Sequence, residues 1–432
     1  MTPTRASPGT RLRALAAPAW LALVALASVW WAWPGELARW RASSIVAAWA
    51  GTGLLVGSLA LMVREPRWAR WMGGLDTMYR WHHRSGVVAY VLLLAHPLAL
   101  AVAGWAESPR SAWAAIAPWA QSWPVWLGWG GLGALMLGLA RAFSRSIGYR
   151  RWLAFHYLTA LGVVLGLAHV FVLLGEAAVV SGLVAIAVLA LVWRLLVTDR
   201  GVSARAYRVT QVAKQAAEVI EVTVAPCAAA GAGEGAASVV PGQFVLLALA
   251  DARHDPGARE FHPFSVTAIG PGGALSVGIK ALGPWTRRIQ SLRPGVAARL
   301  QGPFGRFLDD RDAGPELWIA GGIGIAPFVA AIREAARPHP TTLVYLFRDD
   351  ADAAYLSELR ERAAADPSLD LIASACGDRV PDVAAILSGV SGLADRRVRI
   401  CGPPGLVKAV RASLQRLGHA PDSIHDERFD FR

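Results

Sequence analysis

The sequence predicts a membrane-embedded all-α bundle of six helices, followed by an antiparallel β-barrel domain and an α/β domain. Hydrophobic residues make up 54% of the 432 residues, and the mean hydropathy is +0.38. All of the 19 Trp except Trp285 and Trp318 lie before residue 200, and Trp favours membrane–water boundaries. After residue 200 the apolar runs become short and alternating, which is typical of strands.

These changes in pattern predict three domains, with boundaries at residues 1–199, 200–310 and 311–432. The three cysteines are too few and too scattered for a disulfide framework or a C-x-x-C metal site. The net charge of +12 comes largely from Arg beside apolar segments, which is typical of cytoplasmic membrane loops. We therefore expect contact with membrane lipid and no binding to nucleic acid.

Six apolar stretches are long enough, at about 20 residues, to cross a hydrocarbon core. The first stretch resembles a signal peptide in position, but its length, its four Trp and the lack of an A-x-A cleavage site favour a span. The stretches lie near residues 14–34, 44–63, 83–104, 124–143, 152–175 and 177–197.

The distribution of Arg predicts the orientation of these spans, because short cytoplasmic loops carry an excess of Lys and Arg. One Arg-rich segment precedes the first span, a second joins the second span to the third, and a third joins the fourth span to the fifth. We therefore expect both termini in the cytoplasm of a bacterial-type plasma (inner) membrane. The Arg in these three segments are Arg5, Arg11, Arg13, Arg64, Arg67, Arg70, Arg80, Arg84, Arg141, Arg145, Arg150 and Arg151.

Four histidines in or beside the spans form two levels. His82 and His96 are 14 residues apart on the third span, and His156 and His169 are 13 apart on the fifth. Both spans run in the same direction, so His82 and His156 lie near the cytoplasm, with the other pair about 20 Å deeper. Ionisable groups at membrane depth indicate function, and this spacing favours two stacked haems, each held between two imidazoles.

The helical phase of these histidines leaves alternatives open. A 14-residue step returns to within about 40° of the starting face, whereas a 13-residue step misses it by about 140°. The fifth span then needs a π-bulge or bend, for which Gly162 and Gly166 are candidates, or its histidines reach the haems from different sides. His83 is a rival to His82. The alternative role is polar contact between helices; a zinc-type site is disfavoured because the two levels are too far apart.

In the second half, several alternating runs predict the strands of a small antiparallel barrel. The runs are Tyr207–Val224, Phe244–Leu249, Leu275–Ala281 and Ala297–Gln301, after a linker at Thr198–Ala206. The Ala- and Gly-rich stretch Ala228–Ser238 is expected to be a loose hairpin loop. An α/β sheet is then predicted from strands at Leu317–Ala320, Thr341–Phe347, Leu369–Ala373 and Arg396–Ile400.

Two loops of this α/β domain have the composition of a nucleotide site. Residues 321–327 read Gly-Gly-Ile-Gly-Ile-Ala-Pro and precede a helical run from Phe328. Glycines let the backbone approach a phosphate, and a helix N-terminus offers free N–H groups. The full G-x-G-x-x-G spacing is absent, so an ordinary βα turn is the alternative. Residues 401–405 read Cys-Gly-Pro-Pro-Gly at the carboxyl edge of a strand, where open α/β sheets bind ligands.

Taken in order, these motifs resemble the ferric reductase and NADPH oxidase superfamily, particularly bacterial NADPH-oxidase-like proteins. The helical half resembles a six-helix ferric-reductase-like domain with four haem histidines, and the second half resembles a ferredoxin–NADP reductase module. The resemblance covers the chain from about residue 45 to its end. It implies FAD, two b-type haems and NADPH or NADH as cofactors.

The resemblance also implies roles for individual residues. In His262-Pro263-Phe264-Ser265, the Ser265 hydroxyl would bond the redox edge of the flavin while Phe264 and His262 pack around it. Gly302-Pro303-Phe304-Gly305 would close the barrel. The pyrophosphate loop would be formed by Lys280 and by Gly283, Pro284, Trp285 and Thr286, although Pro284 stands where an acidic residue is common. The nicotinamide-nucleotide site would include Gly321, Gly322, Gly324, Pro327, Cys401, Gly402 and Pro403.

Two further assignments keep alternatives. Near the C-terminus, Phe431 would stack on the flavin and yield to nicotinamide, with Phe429 as a rival; two core aromatics in a last strand are the other interpretation. Arg348 follows a strand of the nucleotide sheet and would bind a 2′-phosphate, which favours NADPH. Asp349 and its neighbour Asp350 favour NADH instead.

The resemblance implies electron flow from cytoplasmic NAD(P)H to FAD, the inner haem, the outer haem and an acceptor. The acceptor is dioxygen, a ferric or other metal chelate, or a docked periplasmic protein; a haem-based membrane sensor is a fourth hypothesis. The only sizeable outer loop, Ala106–Trp123, holds Arg110 and no histidine. This composition favours dioxygen, reduced to superoxide, or a docked protein.

Overall fold

A computed structural model of the chain divides into two compact units, which are described separately. Residues 6–64 and 71–197 belong to a helical unit, and residues 65–70 and 198–432 belong to a mixed unit. The structure describes residues 19–27, 30, 37–142, 149–174, 178–227, 238–250, 260–309, 314–334, 338–377, 381–420 and 423–427.

Five helices of the described residues are long and apolar enough to cross a membrane, and they correspond to the second to sixth predicted spans. The first predicted span, 14–34, lies largely outside the described residues, of which 19–27 are helical (α1). The spanning helices are α2 (Arg39–Ala60), α4 (Leu75–Trp105), α6 (Trp123–Ala142), α7 (Tyr149–Leu174) and α8 (Ala178–Val192), and α8 continues as a π-helical segment to Asp199. Short helices α3 (Pro66–Trp71) and α5 (Pro109–Ile116) lie between them in the chain.

Glycines bring α6 and α7 into close contact. A Cβ at Gly131 would lie 2.9 Å from the backbone nitrogen of Gly166 and 3.0 Å from the carbonyl oxygen of Gly162. Small residues let backbones approach where lipid supplies no hydrophobic drive for helix association. A π-bulge near Gly162 and Gly166, one of the alternatives for the fifth span, is not observed, because α7 is α-helical from Tyr149 to Leu174. These glycines instead lie at the contact with α6. A π-helical segment occurs instead at Trp193–Asp199.

The mixed unit begins with a closed six-stranded antiparallel barrel, as predicted. The predicted run Tyr207–Val224 is a hairpin of two strands, because Ala216 pairs with Val219 across a tight turn. The expected loop at Ala228–Ser238 lies, apart from Ser238, outside the described residues. In barrel order the strands are β1 (Arg205–Ala216), β2 (Val219–Pro226), β5 (Leu275–Lys280), β4 (His262–Ile269), β3 (Phe244–Ala250) and β6 (Ala297–Phe304).

A five-stranded parallel sheet follows the barrel, in the order β11-β10-β7-β8-β9. The strands are β7 (Glu316–Gly321), β8 (Thr341–Phe347), β9 (Leu369–Ala375), β10 (Arg397–Cys401) and β11 (Ile424–Glu427). The sequence predicted four of them and missed β11, since its four residues contain one apolar side chain and pair only with β10. The helices of the mixed unit are α9 (Pro284–Arg288), α10 (Ala326–Glu334), α11 (Leu356–Ala365), α12 (Val383–Ser388) and α13 (Pro404–Arg416).

A buried ion pair joins the adjacent strands β10 and β7 of this sheet. Arg399 Nη2 on β10 lies 3.0 Å from Glu316 Oε1 on β7, and both side chains are 1% exposed. Arg399 also donates to the carbonyl of Phe307, and Trp318 Nε1 donates to the second carboxylate oxygen of Glu316. Buried charges are tolerated when they are paired and hydrogen-bonded in this way.

We expect Arg399→Met to lower the free energy of unfolding of this sheet by about 3–5 kcal/mol, because Glu316 is left charged and unpaired. Hydrogen exchange of the β7 and β10 amides in the detergent-solubilised chain would measure the loss. The double variant Arg399→Met/Glu316→Gln should recover part of it. Unchanged exchange in the single variant would contradict the expectation.

Candidate functional site

The two histidines predicted for the inner level are neighbours. The ring centroids of His82 on α4 and His156 on α7 are 6.2 Å apart, with an interplanar angle of 82°. A metal bonded to a nitrogen of each ring at about 2 Å per bond requires close to this separation. The pair therefore fits a six-coordinate iron held between two imidazoles. His83 is exposed, which makes it the weaker candidate.

Three of the four histidines are oriented by a backbone carbonyl. A carbonyl oxygen only accepts hydrogen bonds, so in each case the ring donates from Nδ1 and presents Nε2 on its other side. Metal-binding histidines are held in this way. The pairs are His82 with Ser58 (2.9 Å), His96 with Ser44 (3.1 Å) and His169 with Pro124 (2.8 Å). The Ser44 hydroxyl oxygen also lies 2.7 Å from His96 Nδ1.

His156 is held differently from the other three rings. It stacks on Trp152 with a centroid distance of 5.1 Å and an angle of 8°. Its buried Nδ1 has no hydrogen-bond partner among the residues that the structure describes. Packing against an indole, one helical turn away on α7, thus replaces the carbonyl contact as the feature that orients this ring.

The outer pair, His96 and His169, lines a cavity of about 640 Å³ between α2, α4, α6 and α7. A Cβ at Gly128 would lie 3.2 Å from the His169 ring, so glycine at this position leaves space for the imidazole. Most of the remaining wall is apolar. The polar lining residues include Arg41, Glu107, Ser111 and Gln121.

In the barrel, two of the predicted flavin motifs come together. The His262 ring stacks on Trp285 at a centroid distance of 4.1 Å, and Phe264 lies 6.0 Å from the same indole. The neighbouring residues Pro263 and Ser265 pair with Leu246 and Phe244 on β3. One aromatic wall is therefore built from β4 and α9, which the sequence placed in separate motifs.

The His262 imidazole has an unsatisfied nitrogen at this wall. Its Nε2 lies 3.8 Å from Glu260 Oε2, beyond hydrogen-bond distance, and has no hydrogen-bond partner in the described part of the chain. Burial lowers the pKa of His262 below its ordinary value, whereas Glu260 acts in the opposite direction. A neutral ring with an open nitrogen fits a bound cofactor.

The predicted pyrophosphate loop is closed on itself by Thr286. Its hydroxyl accepts hydrogen bonds from the amides of Leu282 (3.0 Å) and Gly283 (2.8 Å). Pro284 occupies the first position of α9, where the missing N–H of proline costs nothing. Lys280 reaches away from this loop, and its Nζ lies 3.7 Å from Asp352 Oδ2.

The two glycine-containing loops of the α/β domain lie against each other. A Cβ at Gly324 would overlap the carbonyl oxygen of Cys401, and a Cβ at Gly321 would lie 2.9 Å from Pro403 Cδ. The loops follow β7 and β10, adjacent strands at which the order of the sheet reverses, and such reversals create the ligand crevice of open α/β sheets. Gly322 and Gly402 belong to the same two loops, and Pro327 is the second residue of the helix α10 that follows the first loop.

Arg348 already has two acidic partners. Its Nη2 lies 2.8 Å from Asp352 and its Nε lies 3.4 Å from Asp349. A 2′-phosphate would have to compete with these carboxylates for the guanidinium, so the preference for NADPH loses support. Phe431 and its rival Phe429 lie outside the described residues.

Family models match both halves of the chain. Residues 47–167 match the ferric reductase like transmembrane component, and residues 318–412 match the oxidoreductase NAD-binding domain. The chain is an oxidoreductase that joins a ferric-reductase-like transmembrane domain to an oxidoreductase NAD-binding domain. The predicted resemblance is thereby confirmed, and the reductase-type module supports FAD and NAD(P)H as cofactors of this membrane oxidoreductase.

Individual relatives cover parts of this oxidoreductase. The toluate 1,2-dioxygenase electron transfer component of Pseudomonas putida is 30% identical over 207 residues, which are 44% of this chain and 58% of that protein. Dual oxidase 2 of Rattus norvegicus is 33% identical over 95 residues, 18% of this chain and 6% of that protein. The chain thus spans about half the length of the first curated relatives that it matches. A flavohemoglobin structure from Malassezia yamatoensis aligns over 91% of this chain and 99% of its own at 16% identity, with a TM-score of 0.48.

Sequence reasoning missed one cluster of this oxidoreductase. Arg333 forms ion pairs with both Glu221 and Glu358, and the three residues come from segments far apart in the chain. No local motif contains them, and the one signal available was Glu221, a charged residue in an otherwise apolar strand.

We expect Gly324→Ala to weaken NAD(P)H binding about tenfold, a loss of about 1.4 kcal/mol, because the added methyl group pushes the two loops apart. Flavin content should be retained. Titration of the purified oxidoreductase with the oxidised nucleotide would measure the change. Gly389→Ala is the control, since its Cβ would meet the nearest atom, the Ile386 carbonyl oxygen, at 3.6 Å. Equal affinities of wild type and Gly324→Ala would refute the assignment.

Proposed function

We propose that this oxidoreductase is a transmembrane flavohaem enzyme that moves electrons from cytoplasmic NAD(P)H through FAD and two b-type haems to dioxygen, giving superoxide. The observation that carries the proposal is the arrangement of histidines in the helical unit. His82 faces His156 at the separation that a shared iron requires, and His96 and His169 line one apolar cavity.

The imidazoles of this unit have the properties of haem ligands. In His82, His96 and His169, Nδ1 donates a hydrogen bond to a backbone carbonyl, which leaves Nε2 available to bind the iron. A haem held by two imidazoles supplies one-electron transfer and leaves no coordination position open. In this proposal His82 and His156 hold the inner haem, and His96 and His169 hold the outer one.

The mixed unit would hold the donor and the flavin. FAD is required because it accepts a hydride, which carries two electrons, and releases single electrons. The aromatic wall of His262, Phe264 and Trp285 supports a flavin site, with Ser265 on the same strand. The contacting loops at Gly321–Gly324 and Cys401–Pro403 support an NAD(P)H site at the reversal of the sheet.

The distribution of Arg supports an inner-membrane location with both termini and the mixed unit in the cytoplasm. Electrons then leave on the opposite side, near the level of His96 and His169. The cavity at this level has the polar lining residues Arg41, Glu107, Ser111 and Gln121, which suits a small acceptor. No histidine occurs in Ala106–Trp123, so this loop offers no imidazole ligand for a metal chelate.

The alternative small acceptor is a ferric or other metal chelate, in which case the enzyme is a metal-chelate reductase. Electron supply to a periplasmic partner protein is the second candidate function. The segment around α5 favours binding of a partner protein, because the side chains of Trp105, Trp113 and Trp119 are 65%, 56% and 72% exposed. Trp-rich surfaces are frequent at protein interfaces and equally at membrane boundaries.

We expect His82→Ala to remove one of two haems per chain, because it deletes a ligand of the inner iron. His96→Ala should also remove one haem. The matched control is His83→Ala, which replaces the adjacent exposed imidazole and should retain both. Haem content per chain, determined by the pyridine haemochrome assay, is the measurement. Loss of haem in His83→Ala and retention in His82→Ala would reverse the assignment.

We expect anaerobic NADPH or NADH to reduce first the flavin and then the haems in stopped-flow spectroscopy of the purified oxidoreductase. Addition of dioxygen should reoxidise the haems with formation of superoxide, because no metal-chelate site is apparent in the outer loop. Ferric citrate is the comparison. Faster reoxidation by ferric citrate would favour the reductase alternative, and haems that NAD(P)H never reduces would refute the proposed function.

A further inference from the structure

We propose that Arg333 is a positioning residue that joins the nucleotide-binding domain to the flavin barrel and so sets the distance between nicotinamide and flavin. This inference rests on the proposed function, since it assumes that hydride passes from NAD(P)H to FAD. It concerns residues outside the flavin motif and outside the two nucleotide loops.

Arg333 lies in the last turn of α10 and binds carboxylates from two directions. Its Nε and Nη2 donate to the two oxygens of Glu358 on α11, each at 2.7 Å. Its Nη1 lies 2.6 Å from Glu221 Oε1 on β2. Glu358 belongs to the nucleotide domain and Glu221 to the barrel, so a single guanidinium spans the boundary between the two domains.

The same cluster reaches the strand of the flavin motif. Thr267 Oγ1 donates to Glu221 Oε1, and Arg333 Nη1 lies 3.3 Å from the carbonyl oxygen of Thr267. Thr267 stands two residues after Ser265 on β4. At its other end, α10 begins at Ala326, directly after the glycine loop of the nucleotide site. One helix and one strand therefore connect Arg333 to both cofactor sites.

Tyr355 adds a second contact across the boundary. Its backbone has a φ of 64°, a left-handed conformation that non-glycine residues adopt only when their surroundings require it. Its ring lies under Arg333, 5.4 Å from the guanidinium carbon. A Cβ at Gly278 on β5 would lie 2.9 Å from the Tyr355 hydroxyl, so the barrel wall leaves space for this side chain.

The cluster is better suited to fix geometry than to add stability. Buried ion pairs contribute little net stability compared with apolar packing, whereas bidentate pairs between guanidinium and carboxylate are directional. Burial acts to lower the pKa of Arg333, but hydrogen bonds to Glu358 and Glu221 raise it above its ordinary value. The guanidinium therefore keeps its charge, and with it the contact between the domains, at any physiological pH.

Hydride transfer depends steeply on this geometry. The reacting atoms must approach to about 3–3.5 Å, and a misplacement of about 1 Å costs on the order of 100-fold in rate. A cluster that orients one cofactor domain against the other therefore acts on the rate of flavin reduction. It should have less effect on nucleotide affinity, because the two glycine loops are not part of it.

The test uses the full-length, flavin-loaded oxidoreductase under anaerobic conditions, with NADH and NADPH as donors. Arg333→Lys keeps the charge but loses the bidentate contact to Glu358. Thr267→Val removes one hydroxyl contact to Glu221 and serves where Arg333→Lys does not retain flavin. Arg362→Met on α11 is the matched control, since Arg362 is exposed and lies outside the cluster. Stopped-flow absorbance follows flavin reduction and the charge-transfer band between nicotinamide and flavin.

We expect Arg333→Lys to slow flavin reduction at saturating NAD(P)H by about 10- to 100-fold and to weaken the charge-transfer band. Nucleotide affinity should change less than threefold, and photoreduced flavin should pass electrons onward at the wild-type rate. Thr267→Val should show the same pattern with a smaller loss, and Arg362→Met should match the wild type. Flavin reduction at the wild-type rate in Arg333→Lys and Thr267→Val would overturn the positioning role.

Failure of the proposed function has a different signature. In that case the wild-type flavin would not be reduced by either nucleotide, and the inference about Arg333 would be overturned with it. Reduction in the wild type with no difference among the variants would overturn the positioning role alone.

Discussion

The hydrogen bond between a buried imidazole and a helix carbonyl is the interaction on which the helical unit depends. An imidazole among apolar helices must find a partner for its N–H. Two carbonyls of α2 provide it for α4: Ser58 for His82 and Ser44 for His96. Ser44 and Ser58 are 14 residues apart on α2, and His82 and His96 are 14 residues apart on α4. Because the two helices are antiparallel and have the same rise per residue, both rings meet a carbonyl of α2. Ser58 lies in the last turn of α2, where carbonyl oxygens lack partners within the helix.

This arrangement couples orientation to chemistry. A ring that donates from Nδ1 to a carbonyl leaves its Nε2 available to bind a metal. The glycines at the contact of α6 and α7 let these two helices pack closely, and His156 on α7 lies beside His82 on α4. The helix α7 is α-helical from Tyr149 to Leu174, so the phase difference between its two histidines is not met by a π-bulge.

In the mixed unit, strand ends and ion pairs determine where the candidate nucleotide and flavin sites lie. The two nucleotide loops contact each other because β7 and β10 are adjacent in a sheet whose order reverses there. The aromatic wall forms because β4 and α9 meet in the barrel. Ion pairs then connect these parts: Arg333 joins barrel to nucleotide domain, and Lys280 lies near Asp352 across the same boundary. Each connection uses residues from segments far apart in the chain.

The sequence alone determined the features that depend on local pattern. The spans from the second to the sixth follow from runs of apolar residues, and most strands from alternation, since both periods are properties of single segments. The levels of the four histidines follow from their spacing along helices. Local pattern did not predict the turn after Ala216 that divides one long alternating run into two strands. It also did not predict the short strand Ile424–Glu427, which pairs with β10.

Only the tertiary structure decided which groups meet. The distance between His82 and His156, the carbonyl partners of the rings, the closure of the Thr286 loop and the acidic partners of Arg348 depend on residues brought together from different elements. The cluster around Arg333 is the strongest example, because Glu221 and Glu358 are separated from it by 112 and 25 residues. The hydrophobic periodicity of a segment does not predict such contacts. They form when folding excludes water and buried charges pair with residues from other parts of the chain.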